Sequence, residues 1–233
     1  MSFIRRPSTE RGRENMGWLD SKHSFSFGHY HDPAHMGYRS LRVINEDRVQ
    51  PGKGFGTHGH RDMEIISYVV SGALAHQDTL GSKGVLQRGD VQAMSAGTGV
   101  QHSEFNGSES EDVHFLQIWI LPRAGGLPSA YDQINVPDAE KQNRLRLLVS
   151  SDGTDGSLRI NQDARIYASL LESGKAVTHD LAAGRGAWVQ VVSGDLVVNG
   201  KVLSTGDGAA IEGTDLVIAT AATDAEFLLF DLD

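Results

Sequence analysis

Cysteine is absent from the chain. Disulfides, thiolate metal sites and cysteine nucleophiles are therefore excluded, and any metal must be sought at imidazole or carboxylate groups. Long apolar runs are missing too: none approaches the roughly 20 residues that cross a bilayer. Residues 1–15 carry basic side chains with no apolar stretch behind them, so we read no secretory signal, no membrane association and a cytoplasmic location. Positive charge is the minority. Lys and Arg number 21 against 30 Asp and Glu, for a net charge of −9. Phosphate backbones attract basic surfaces, so no direct nucleic-acid partner is expected. The one basic cluster, Arg5, Arg6, Arg11 and Arg13, reads as a solvated segment. Neither a phosphate-cradling Gly-Lys-Ser/Thr loop nor a nucleophile turn for Ser–His–Asp hydrolysis is found.

What is present belongs to a globular all-β protein. Hydrophobic residues make up 39% and charged residues 22%. Glycine is abundant, at 27 residues, while proline is limited to six, a balance that suits tight turns between short strands. Short β-branched or aromatic runs recur at 41–45, 64–70, 73–78, 113–121, 144–150, 187–192 and 226–232. Residues 164–171 alternate Ile166, Ala168 and Leu170 with Arg165, Tyr167 and Ser169, which favours strand over helix. Residues 139–144 offer about one helical turn.

An internal echo divides the chain. Tyr68-Val-Val-Ser-Gly72 returns as Gln190-Val-Val-Ser-Gly194, and Gly89-Asp90 returns as Gly206-Asp207. Two similar halves indicate duplication, with a boundary in the polar stretch 122–143 and domains at 1–125 and 126–233.

The chemistry concentrates in the first half. His58-x-His60 and His102-x-Glu104 each lie in strand-like sequence, where side chains two apart share a face. On two strands facing each other across a barrel, they would bring three imidazoles and one carboxylate to one point. Such donors suit Fe(II), Mn(II), Co(II), Ni(II), Cu(II) or Zn(II). Laid over the echo, the second half offers Asp180 and Ala182 for the first pair and Ala219 and Ala221 for the second, with His179 close by. We therefore expect one divalent metal ion, held in the first half alone. The other histidine-rich stretch, His29, His31 and His35, is broken by Pro33 and Gly37 and has no partner pair. His76 and Asp78 share a strand face and read as a solvent-facing pair, with a hydrogen-bonded pair near the pocket as the alternative. In the strand after the second motif, Phe115, Gln117 and Trp119 share one face; together with Met94 and Phe55 they are candidate pocket walls.

These residues are also familiar as a set. Gly52-x5-His58-x-His60-x3-Glu64 resembles the first cupin motif, with its closing Gly72 one residue late. Residues 89–106, GDVQAMSAGTGVQHSEFN, resemble the second, with Ser95 at its usual proline and two extra residues between Gly97 and His102. These departures, together with WLDSKHSFSFGHYHDP, LRVINED and FGTHGHRDMEI, are similar to the pirin family over almost the whole chain. The resemblance implies a bicupin of two face-to-face β-barrels. It implies a metal, usually iron, on His58, His60, His102 and Glu104, with Glu64 left out of the ligand set.

The resemblance also implies function. Bacterial pirins are described as quercetin 2,3-dioxygenases, which implies a small aromatic flavonol substrate and O₂. Glu104 is then the candidate catalytic base, and His23 and Phe25 belong either to core packing or to a cover over the barrel mouth. Other pirins are regulatory or redox-sensing proteins acting through protein partners, which is the alternative reading. A phosphosugar isomerase would need basic residues near the ligands, where only Arg61 and Arg42 stand. Two fused barrels fit a monomer.

Overall fold

Twenty-two short strands and one α-helical turn account for the fold, in a computed structural model that describes residues 1–233. In chain order the early strands are β1 (Ser2–Arg6), β2 (Gly12–Asn15), β3 (Leu19–His23), β4 (Leu41–Val49), β5 (Gly54–His60) and β6 (Glu64–Ser71). They continue with β7 (Ala73–Asp78), β8 (Lys83–Gln87), β9 (Asp90–Ser95), β10 (Val100–Asn106), β11 (Val113–Ile120) and β12 (Ala130–Asn135). After α1 (Asp138–Lys141) come β13 (Arg146–Ser150), β14 (Leu158–Arg159), β15 (Ala164–Leu171), β16 (Ala176–Asp180) and β17 (Gly186–Ser193). The last are β18 (Asp195–Val198), β19 (Lys201–Ser204), β20 (Gly208–Glu212), β21 (Leu216–Ala221) and β22 (Ala225–Leu232). No helix is long and apolar enough to cross a membrane.

The chain forms two compact units. The first barrel comprises Gly12–Asn135 with Leu158–Gln162. Its larger sheet runs β12-β9-β6-β11-β4-β3-β2 and its smaller sheet β5-β10-β7-β8, antiparallel throughout. The sheets are joined by a core in which Leu74 and Leu86 of the smaller sheet meet Leu19, Val49, Val69 and Phe115 of the larger. The second barrel comprises Met1–Arg11, Val136–Ser157 and Asp163–Asp233. It repeats the plan, with β1-β20-β17-β22-β15-β13 in one sheet and β16-β21-β18-β19 in the other.

The echoed strings mark the same corners in each barrel. Gly72 follows β6 at φ +79°, and a Cβ there would lie 2.5 Å from Asp112 O. Gly194 follows β17 at the same φ, and its Cβ would lie 2.2 Å from Asp224 O. Only glycine fits both the left-handed backbone and the close approach. At the other corner, Asp90 accepts a bond from the Gln87 N–H and Asp207 one from the Ser204 N–H.

The compact units do not follow a single cut at 125/126. β1 pairs with β20 of the second barrel, whereas β12, inside the expected boundary stretch, closes the first barrel's larger sheet beside β9. Neither edge strand shows an apolar alternation, because most of its residues are exposed or half-buried. The arginine cluster also differs from its reading as solvated. Arg6 and Arg11 are buried, and Arg5 pairs with Asp207. The strand over 164–171 and the helical turn near 139–144 are found as expected, as β15 and α1.

Candidate metal centre

Strands β5, β10 and β7 build the centre, and they are neighbours in one sheet. His102 lies directly opposite His58 on one side and Asp78 on the other. Glu104 lies opposite Phe55 and His76, with a bulge between His102 and Glu104 on the β5 side. The expectation of ligands gripped from opposite sheets is therefore corrected. Directly opposed residues on adjacent strands stand about 5 Å apart, close enough for their side chains to meet.

Three imidazoles converge. His102 Nε2 lies 3.0 Å from His58 Nε2 and 2.9 Å from His60 Nε2. His58 Nδ1 is 2.8 Å from the Gly56 carbonyl and must donate to it, which fixes the ring with Nε2 toward His102. Burial, reinforced by the neighbouring His58, lowers the pKa of His60 to about 4. His102 falls to about 3 for the same reasons, with His60 and His76 adding to the effect. Both rings thus stay unprotonated at neutral pH. Three imidazoles whose Nε2 atoms face one point form a donor set that fits a divalent transition metal.

Glu104 belongs to a second group that shares His102. Ring nitrogens of His76 and His102 and a carboxylate oxygen of Glu104 lie within 4.8 Å of one another. The Glu104 carboxylate accepts bonds from Gln117 Nε2 at 2.7 Å and Ser67 Oγ at 3.3 Å. Burial pushes its pKa up, against the pull of Gln117, His76, His58 and Ser67. His76, read as solvent-facing, is instead buried against the centre. It stacks on Tyr131 and meets Asp78 at 3.1 Å. Burial opposes ionisation of Asp78, but bonds from His76, Ser82 and Leu80 outweigh it and hold its pKa low. The reading failed because strand phase alone does not say which face of a sheet is covered.

A cavity of about 420 Å³ opens beside the imidazoles. Trp18, Phe27, Phe55 and Trp119 give it aromatic walls, and His58, His60, His102 and Glu104 line it. Gln117 lines it as expected and His23 lines it too, whereas Phe115 and Met94 lie in core clusters and Phe25 is buried. The sequence reading missed Ser21, Asn45 and Asp47 on the cavity wall. The available signal was their phase, since Asn45 and Asp47 alternate inward with Val43 and Val49 along β4. The His29–His35 stretch stays apart: His29 is exposed near Glu14, and His35 lies 4.0 Å from Asp32.

The second barrel shows what the same fold looks like without these groups. Its register sets Val198 and Ala219 where His76 and Glu104 stand, and Val217 where His102 stands. The simple overlay was two residues off, because the first barrel carries a longer loop before β10. His179 takes the register place of His58 but bonds to Asp231 at 2.9 Å. Across the larger sheet, the first barrel aligns Gln92, Ser67, Gln117, Asn45 and His23 in one row. The second aligns Ala209, Val189, Leu229, Tyr167 and Leu147. Buried polar groups are costly, so the fold itself does not call for the polar row.

Paired antiparallel barrels, one of them with a cluster of imidazoles and a carboxylate at a cavity, define the bicupin class of metal-site proteins. Residues 5–120 match the Pirin family model, and residues 147–232 match the model for the quercetinase C-terminal cupin domain. The chain belongs to the pirin family. It is 45% identical over 232 residues to the quercetin 2,3-dioxygenase of Escherichia coli K12, covering 100% of this chain and 99% of that protein. A Pirin-like protein of Caulobacter vibrioides is 42% identical over 230 residues, covering 97% and 98%. The crystal structure of E. coli YhhW superposes with a TM-score of 0.96 at 44% identity, over 100% and 98% of the two chains. A second crystal structure, of the bacterial pirin YhhW in complex with nickel(II), gives 0.94 at 45%, over 99% of each chain. The chain is thus a full-length homologue of a ring-cleaving dioxygenase.

Proposed function

We propose that this protein cleaves flavonols such as quercetin with O₂, releasing carbon monoxide, at a divalent metal ion held by His58, His60, His102 and Glu104. The observation that carries this reading is the convergence of three imidazole Nε2 atoms at the wall of an aromatic-lined cavity. Full-length similarity to quercetin 2,3-dioxygenase supports the substrate class. Iron is the first choice of metal, and nickel, the ion named for YhhW, is a second. Such an ion supplies Lewis acidity that favours the anionic form of the flavonol hydroxyl.

The protein's residues do the rest. A carboxylate oxygen of Glu104 takes the hydroxyl proton. Its burial raises its pKa, which strengthens it as a proton acceptor. Gln117 and Ser67 fix the carboxylate's orientation from below. The faces of Trp18, Phe27, Phe55 and Trp119 accommodate a flat fused ring and exclude water. The test is anaerobic loading with each candidate metal, addition of quercetin, then O₂, with flavonol absorbance and carbon monoxide followed together. Stoichiometric carbon monoxide supports the reading, and no turnover above free metal with any ion overturns it.

A further inference from the structure

Asp47 plays no part in the chemistry above, yet it stands on the cavity wall, 4% exposed. It projects from β4, in the sheet that faces the imidazole strands. Ser21 lies directly opposite on β3 and donates a short hydrogen bond to Asp47 Oδ1. A carboxylate accepts up to about four hydrogen bonds, so acceptor capacity remains. One row along, the His23–Asn45 pair meets at 2.7 Å and lines the same cavity. On the neighbouring strand, Trp119 has a buried indole N–H with no partner.

The second barrel serves as an internal control. There the row Val69–Phe115–Asp47 becomes Val191–Phe227–Ser169, and Asn45 becomes Tyr167. Within that row the two apolar neighbours stay apolar and the carboxylate gives way to a hydroxyl. Packing therefore does not demand Asp47. Its burial is also costly: desolvation raises its pKa to about 7, with Ser21 opposing and Glu104, Glu46 and Glu14 adding to the rise. A costly acceptor on an aromatic-lined cavity, with no packing role, fits a ligand that brings hydrogen-bond donors.

Resting on the flavonol reading, we infer that Asp47, steadied by Ser21 and flanked by the His23–Asn45 pair, is a hydroxyl-recognising subsite that selects polyhydroxylated aromatic substrates over unsubstituted ones. Phenolic hydroxyls donate, and a carboxylate that is otherwise bonded only to Ser21 accepts. A hydrogen bond to a charged group favours its partner by roughly tenfold or more in affinity.

The experiment measures dissociation constants anaerobically at pH 8, where Asp47 is ionised, on the nickel-loaded protein, through quenching of Trp18 and Trp119. Quercetin is compared with the parent flavonol, which lacks all hydroxyls but the reactive one. The native chain is expected to prefer quercetin by about tenfold. In Asp47→Asn, and in Asp47→Ser, which copies the second barrel, the ratio falls toward one; Ser21→Ala gives an intermediate ratio. Two folded variants with the native ratio overturn the subsite. Binding of neither flavonol by the native protein overturns the flavonol reading itself, and the subsite with it.

Discussion

His102 faces His58 across adjoining strands, with their Nε2 atoms 3.0 Å apart, and the same ring reaches His60 at 2.9 Å. Strand β10 runs between β5 and β7, so His102 is the one residue common to both donor groups. His102→Ala is expected to reduce bound metal to near zero, while His76→Ala retains it. Elemental analysis after dialysis against a weak chelator measures the difference.

Gln117 holds Glu104 at 2.7 Å, and the second barrel has Leu229 in its place. Gln117→Leu leaves a buried carboxylate short of a donor. The metal-free protein should lose about 1.5–3 kcal/mol of stability, and metal affinity should fall about 10- to 100-fold. Denaturant unfolding and metal titration check the two effects separately.

Asp47 predicts a pH signature. Its carboxyl rises from 3.8 to about 7 on folding. Below pH 4 it is protonated in both states and contributes no penalty. As pH climbs from 4 to 7, the unfolded chain releases its proton while the folded protein keeps it, so stability falls; above 7 the loss is complete. The shift corresponds to on the order of 4 kcal/mol. Asp47→Asn should flatten this fall in the metal-free protein. Urea unfolding at pH 5 and pH 8 tests it: the variant gains at pH 8 and much less at pH 5.

Gly72 and Gly194 occupy the same corner of the two barrels, each at φ +79°. A Cβ would press on backbone carbonyl oxygen in both, at 2.5 Å and 2.2 Å. Gly72→Ala and Gly194→Ala should each cost about 1–3 kcal/mol or more. Thermal melts of the two variants measure it, and a neutral outcome at either position would contradict the shared geometry.

Much of this was legible in the residues. The pairs His58/His60 and His102/Glu104 share faces because strands have a period of two, and the echoed strings fall at real corners. The neighbour relation of β5 and β10 was not legible, because register is set by pairing across the whole sheet and not by one strand's pattern. His76 was misread for the same reason: its burial depends on Tyr131 and on β10, both distant in sequence. β1 and β12 escaped notice because they bury too little to carry an apolar pattern. Asp47 was hidden by its type, since a carboxylate in a strand ordinarily marks the solvent side.

The proposed chemistry needs a single metal centre, in the first barrel. Anomalous diffraction at the metal edge, from crystals of the loaded protein, locates it. One peak is expected, among His58, His60, His102 and Glu104, and none in the second barrel. A peak at His179 or at His29–His35, with nothing beside His102, would contradict it.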